Sequence, residues 1–157
     1  MTIFMRAVLK AYAVTDRRVW VADSFEGLPD IDRSLDTFEW NPGDMAISFD
    51  EVKRAFDRYG LLDSQVNFLK GFFADTLPGC SITQLAILRI DADLYSSTVD
   101  ALNHLYFRLS PGGYAIFDDY TNLADCRRAI DEYRSTHGIS EPITKIDQRA
   151  VFWRKRS

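Results

Sequence analysis

The sequence is poor in the residues from which soft metal centres and disulfide frameworks are built: its 157 residues include two cysteines and two histidines. Cys80 and Cys126 form no Cys-x-x-Cys pair, which excludes a zinc site and a disulfide scaffold and leaves two reduced thiols in a cytoplasmic protein. His104 lies between Leu102 and Leu105, and His137 just before Gly138, so both read as structural, the second as a partner for a helix C-terminus. Neither supports a Ser-His-Asp or Cys-His arrangement. Basic excess is absent too. A net charge of −4 and an isoelectric point near 5.1 exclude a phosphate-tracking surface and hence nucleic acid. No apolar run approaches the roughly 18 residues that cross a bilayer, so no membrane association is expected. The opening MTIFMRAVLKAYAV carries Arg6 and Lys10 inside its apolar stretch and no small-x-small cleavage site follows, unlike a secretory signal.

What remains is a composition of 46% hydrophobic and 27% charged residues, that of a soluble globular protein with one domain over residues 1–157. Apolar positions at Ile3, Phe4, Ala7, Val8, Ala11 and Tyr12 predict a helix over 2–13. VWVA at 19–22, VNFL at 66–69, LAILRI at 85–90 and YAIF at 114–117 predict strands. Ser48 and Glu51 form a capping-box pair for a helix over 49–59, closed by Gly60. Further helices are predicted over about 96–108 and 123–136, with Pro111-Gly112-Gly113 as a turn and the tail as a hairpin around Asp147-Gln148. The Gly-, Pro- and Asp-rich stretch after Asp23 reads as a long surface loop. Strands alternating with helices give an α/β class with a mostly parallel sheet. The first helix has no strand before it, so the first strand of the sheet is expected to be missing, upstream of Met1.

Ligands of open α/β sheets bind beyond the carboxyl ends of the strands. Three predicted strands end there in acid, at Asp23, Asp91 and Asp118-Asp119. Aspartate often follows a strand as a turn or cap residue, but three at one edge argue for more. An acid about 20 residues past a glycine-rich turn binds ribose hydroxyls, which suits Asp23 and again puts the turn at or before Met1. Asp91, Asp118 and Asp119 would repel one another without a cation, and hard oxygen ligands suit Mg2+. Asp93 would face away from Asp91 if residues 90–94 stay extended, and reads as a capping or supporting group. Phe72-Phe73 reads as core or as a wall against an adenine ring.

The blocks VWVADSFEGLP, RYGLLDSQVNFLKGFFADTLP, LAILRIDADLYSSTVDALNHLYFRLSPGGYAIFDDY and AVFWRK resemble the macrocin O-methyltransferase family across nearly the whole chain. The resemblance implies a class I methyltransferase (Rossmann-like) fold, S-adenosylmethionine as donor, a bound Mg2+ and a sugar hydroxyl of a glycosylated small molecule as acceptor. By motif, Asp23 and Ser24 would contact the cofactor ribose, Gly71 and Phe72 would lie near the adenine, and Asp91, Asp118 and Asp119 would hold the metal. The loop at 24–47 would help cover the acceptor. The family's Glu-x-Gly and Gly-Gly run, which cradles the methionine part of the cofactor, has no counterpart in these residues. The implied reaction is an in-line methyl transfer, with Asp91 a candidate base. Two alternatives stand beside it. One is an inactive remnant of the fold with a structural or dimerisation role. The other is a nicotinamide oxidoreductase, which gives no reason for the Asp91, Asp118 and Asp119 cluster. Unpaired strand edges left by the missing strand would favour a homodimer or aggregation.

Overall fold

The computed structural model describes residues 1–156. It divides into two compact units, Met1–Asp30 with Trp40–Thr76, and Ile31–Glu39 with Leu77 onward. In the first, helix α1 (Thr2–Ala11) precedes strand β1 (Val19–Asp23), helix α2 (Phe49–Arg58), strand β2 (Val66–Lys70) and the short helix α3 (Phe73–Thr76). β1 and β2 pair in parallel, Val19 opposite Val66 and Asp23 opposite Lys70, with α2 in the crossover. α2 begins where the sequence places it. The Ser48 hydroxyl accepts from Glu51 N–H, the Glu51 carboxylate accepts from Ser48 N–H, and the two reciprocal bonds satisfy donors that the helix itself leaves unpaired.

The core of this unit is aromatic. Phe56, wholly buried, joins Val21, Phe25, Leu61 and Val66, and Ile3, Ala7, Phe49, Val52 and Phe68 pack on them. Phe49 meets Phe25 and Phe68 edge-on, with ring centroids 5.0 and 5.1 Å apart, a geometry favoured by the ring quadrupoles. The helical period that predicts α1 is correct, but its apolar face is broader than what it buries. Ile3 and Ala7 pack, whereas Phe4 is 66% and Tyr12 79% exposed. Between them in sequence, Arg6 is buried and forms a two-pronged bond with Asp63, at 3.0 and 2.5 Å.

The second unit holds β3 (Leu85–Ile90), α4 (Tyr95–Leu105), a 3-10 turn (Tyr106–Arg108), β4 (Leu109–Phe117), α5 (Ala124–Thr136), β5 (Thr144–Lys145) and β6 (Val151–Arg154). The sheet order is β3-β4-β6-β5, with β3 and β4 parallel and the terminal pair antiparallel, as the hairpin around Asp147 requires. Trp153 stacks on Phe117 at 4.5 Å and donates Nε1–H to the Tyr106 hydroxyl, so the buried indole is satisfied. β4 is longer than predicted. Pro111-Gly112-Gly113, expected as a turn, runs inside the strand, and the pairing with β3 shifts register between Leu85 and Ile87. Gly113 makes that irregularity fit, since a Cβ there would lie 2.8 Å from the Ala86 carbonyl oxygen.

The stretch after Asp23 is not simply a surface loop. In the first unit Ser24, Phe25 and Leu28 are buried, and Leu28 exchanges backbone hydrogen bonds with Asp44 and Gly43 at 3.0 and 2.9 Å. In the second, Asp36 is 1% exposed. Among the described residues no helix is long and apolar enough to cross a membrane.

Candidate functional site

Two clusters form at strand carboxyl ends, one in each unit. At the end of β1, Asp23 is exposed and its Oδ1 accepts from Phe25 N–H at 2.7 Å, an Asx turn that carries Phe25 to φ +59°. The Ser24 hydroxyl donates to the Gly27 carbonyl at 2.7 Å and accepts from Glu26 N–H at 3.1 Å, so it is engaged in holding the same turn. Gly71 donates its N–H to the Asp23 carbonyl at 3.0 Å. Its φ of +138°, and a Thr76 methyl 2.8 Å from where a Cβ would sit, make glycine the residue that fits. Phe72 is half-buried and opens the turn of α3, its carbonyl accepting from Thr76 Oγ1–H at 3.0 Å. Asp23, Ser24, Gly71 and Phe72 are thus neighbours at one end of a two-stranded sheet.

In the second unit β3 delivers Asp91 and β4 delivers Asp118 and Asp119. The cation that pairs with two of them, Asp91 and Asp118, is Arg89, in β3 itself. Its Nε donates to Asp118 Oδ1 at 3.1 Å, and Nη2 donates to both Asp118 Oδ2 and Asp91 Oδ2, the latter at 2.9 Å. Asp119 stands outside this clamp. Asn122 donates to its Oδ1 at 3.2 Å, while Oδ2 is buried with no partner. Burial and then the Asp91 charge raise the Asp119 carboxyl above its ordinary range.

Asp93 departs from the sequence reading. The chain does not stay extended past Ile90; Asp93 takes φ +59°, and burial, with the charges of Asp119 and then Asp91, lifts its carboxyl to about 6. Nor does it cap α4, whose N-cap is Leu94 and whose first N–H goes to Asp36. The signal was present in the Asp-x-Asp spacing together with aspartate's tolerance of the left-handed region. An alternation argument cannot anticipate that bend. Arg89 was likewise missed, because a charged residue one position before a strand end carries no pattern of its own.

Among the described residues no group of three His, Cys, Asp or Glu side chains is arranged to hold a metal. A cleft of about 350 Å3 is lined by Tyr106, Tyr133, His137, Glu141, Lys155 and Arg156. It lies by the start of β4 and the end of α5, away from the acids at the end of β4. His137 stacks on Tyr133 with centroids 3.9 Å apart and bonds the Tyr133 carbonyl at 2.9 Å, the structural role its sequence position suggests. Cys80 and Cys126 are free thiols.

The chain is similar to known proteins. A family profile described as "Macrocin-O-methyltransferase (TylF)" matches residues 1–155. The chain is 53% identical, over 98% of its length, to an 8-demethyl-8-(2,3-dimethoxy-alpha-L-rhamnosyl)-tetracenomycin-C 4'-O-methyltransferase of Streptomyces olivaceus, and covers 60% of it. It is 50% identical to a mycinamicin III 3''-O-methyltransferase of Micromonospora griseorubida, again over 98% of its length and 63% of the relative. The chain thus spans about three fifths of the length of these relatives. The solved structure of the O-methyltransferase NovP matches with a TM-score of 0.91 at 44% identity, over 99% of this chain and 67% of that one. The α/β fold is that of the class I methyltransferases, and the chain belongs to the macrocin-O-methyltransferase (TylF) family.

Proposed function

We propose that the protein transfers a methyl group from S-adenosylmethionine to a sugar hydroxyl of a glycosylated small molecule. The observation that carries this reading is the identity of about half the residues with relatives named for methylation at numbered sugar positions. The two strand-end clusters supply the matching chemistry. Asp23 commits one carboxylate oxygen to Phe25 N–H, and its other oxygen is suited to a ribose hydroxyl. Gly71 lets backbone approach closely, and the half-buried Phe72 ring offers a face for the adenine.

The transfer itself is a displacement: the acceptor oxygen forms a bond to the methyl carbon, the carbon–sulfur bond breaks, and the hydroxyl proton leaves to a base. A neutral hydroxyl is a poor nucleophile, so the site must take that proton and hold the oxygen in line. Asp91 is tied to Arg89, whereas Asp93 makes no ion pair among the described residues and lies beside the same acids. Asp93, rather than Asp91, is therefore the proton acceptor in this reading.

The all-carboxylate donor set and the buried, unpartnered Asp119 Oδ2 fit a divalent cation such as Mg2+. Asp91, Asp118 and Asp119 would hold it, with Arg89 giving up its place between the first two. When bound, such a cation lowers the pKa of a coordinated hydroxyl. The free thiols suit a reducing, cytoplasmic setting.

The test is a transfer assay with isotopically labelled S-adenosylmethionine and glycoside acceptors, run with Mg2+ and with EDTA. Asp118→Ala is expected to abolish turnover while cofactor affinity, measured by calorimetry, stays within about twofold of the parent because its contacts lie elsewhere. Full turnover in EDTA would remove the metal from the reading. No turnover with any glycoside would favour a remnant of the fold without activity.

A further inference from the structure

Asp36 is the most deeply buried acid among the described residues, and it comes from a segment whose sequence reads as loop. Its Oδ1 accepts from the N–H of Tyr95, the first residue of α4, at 2.5 Å, across 59 positions of sequence. Its Oδ2 is buried without a partner. α4 needs this help. Its own N-cap, Leu94, has no side-chain oxygen, so Asp36 does from a distance what Ser48 does locally for α2.

The residues on either side are fastened to the same place. Thr37 donates its N–H and hydroxyl to Asp125 Oδ2, in the first turn of α5, at 2.7 and 2.9 Å. Arg128 donates to the Leu35 carbonyl, pairs with Asp125 Oδ1 at 3.7 Å, and lies over the Tyr95 ring at 4.1 Å. Residues 35–37 are thereby held, one after another, at the N-terminal ends of α4 and α5. These are the ends next to the strand termini that carry the acidic cluster.

Burying a carboxylate with one oxygen unsatisfied is costly. Burial, with the Asp125 charge adding to it, raises the Asp36 carboxyl above its ordinary range, against the pull of Tyr95 N–H and Arg128. A cost of that kind is out of proportion for a loop that only covers a surface. The turn it abuts is also weakly held by itself. Between β3 and α4 the one backbone bond inside the turn is Leu94 N–H to the Ala92 carbonyl at 2.6 Å, and Asp93 sits in the left-handed region that a non-glycine residue adopts at a cost.

We propose that Asp36 is a positioning residue: by fixing the first N–H of α4 it fixes the 91–94 turn, and so holds Asp93 beside Asp91 and Asp119. This rests on the reading of that acidic cluster as the reacting site. Asp36 touches neither donor nor acceptor and acts through Tyr95.

The experiment compares Asp36→Ala and Asp36→Asn with the parent protein in amide hydrogen exchange over residues 92–96, and in kcat and KM for both substrates. Alanine removes the acceptor oxygen; asparagine keeps an oxygen for Tyr95 N–H and removes the charge. Asp36→Ala is expected to expose the Tyr95 amide to exchange and to lower kcat by roughly tenfold, with KM for S-adenosylmethionine within about twofold, as loss of an interaction needed only in the transition state does. Asp36→Asn should keep both the protection and most of kcat. Unchanged protection and kcat in Asp36→Ala would overturn the proposal, and so would Asp36→Asn failing as badly as alanine. If Asp36→Ala does not fold, Asp36→Asn decides alone: retained Tyr95 protection with retained kcat supports it, and lost protection at full kcat overturns it. If the parent methylates no glycoside, it is the reading of the acidic cluster that fails, while loss of Tyr95 protection in Asp36→Ala still judges the role of Asp36 in the turn.

Discussion

Both carboxylate oxygens of Asp118 are taken by Arg89, Oδ1 by Nε at 3.1 Å and Oδ2 by Nη2, and the same Nη2 reaches Asp91. A divalent cation held by Asp91 and Asp118, as proposed, would therefore compete with Arg89 for the same oxygens. Replacing Arg89 with a shorter, neutral side chain, Arg89→Gln, is expected to tighten Mn2+ binding by roughly tenfold, since a hydrogen bond to a charged group is worth about 1.5 kcal/mol. Manganese titration followed by electron paramagnetic resonance reads this directly. Weaker binding in the variant would mean that Arg89 organises the cluster instead of blocking it.

The pair Arg6–Asp63 in the first unit is unequal, with side-chain exposures of 6% and 40%. Removing the exposed partner leaves a buried guanidinium alone, whereas replacing the buried one with methionine substitutes apolar volume for charge. Asp63→Ala should consequently destabilise the protein more than Arg6→Met, as measured by urea denaturation. The hydrogen bond from Arg6 holds the Asp63 carboxyl below its ordinary 3.8. A depressed folded-state pKa contributes stability above the unfolded value and loses it as pH falls through the folded one. The gap between parent and Asp63→Ala should then be full at neutral pH and close below about pH 4, in the range where unfolded aspartate takes up its proton.

Helix α1 and the phenylalanine core give opposite expectations for residues of one type. Phe56 is wholly buried, and Phe56→Ala should cost about 3–5 kcal/mol through lost burial and the cavity left behind. Phe4, 66% exposed, should tolerate serine with a change within about 0.5 kcal/mol. Thermal melts of the two variants distinguish them. A large loss at Phe4 would mean that its exposed face is covered by something in solution.

These cases mark what is legible in sequence. The capping box at Ser48, the strands ending in Asp23, Asp91 and Asp118, and the terminal hairpin are local patterns of period or spacing, and they appear where they were read. The acidic cluster followed from strand ends and topology. What escaped depends on distant partners. The Arg89 clamp on Asp118 and the buried Asp36 are each fixed by residues that no local window contains, 29 and 59 positions away. Pro111-Gly112-Gly113 misled in the opposite sense: residues that punctuate turns also relieve crowding where a strand shifts register.

Among the described residues β3 hydrogen-bonds only β4, so its other edge offers unpaired N–H and C=O groups. Its side chains do little to discourage pairing. Ala86 is exposed, Ile87 is 44% exposed, and the strand has no proline and no charge before Arg89. Such an edge recruits strands from other molecules, which native proteins prevent with inward-facing charge or proline. The 157-residue chain, purified as it stands, is expected to self-associate in sedimentation velocity at micromolar concentrations. Ile87→Lys puts a charge in the middle of that edge and should shift the distribution toward the monomer, while a lysine at the still more exposed Phe107, outside any strand, should not. If both lysines act alike, the association runs through general surface hydrophobicity. If neither acts, the β3 edge is not where copies of the chain meet.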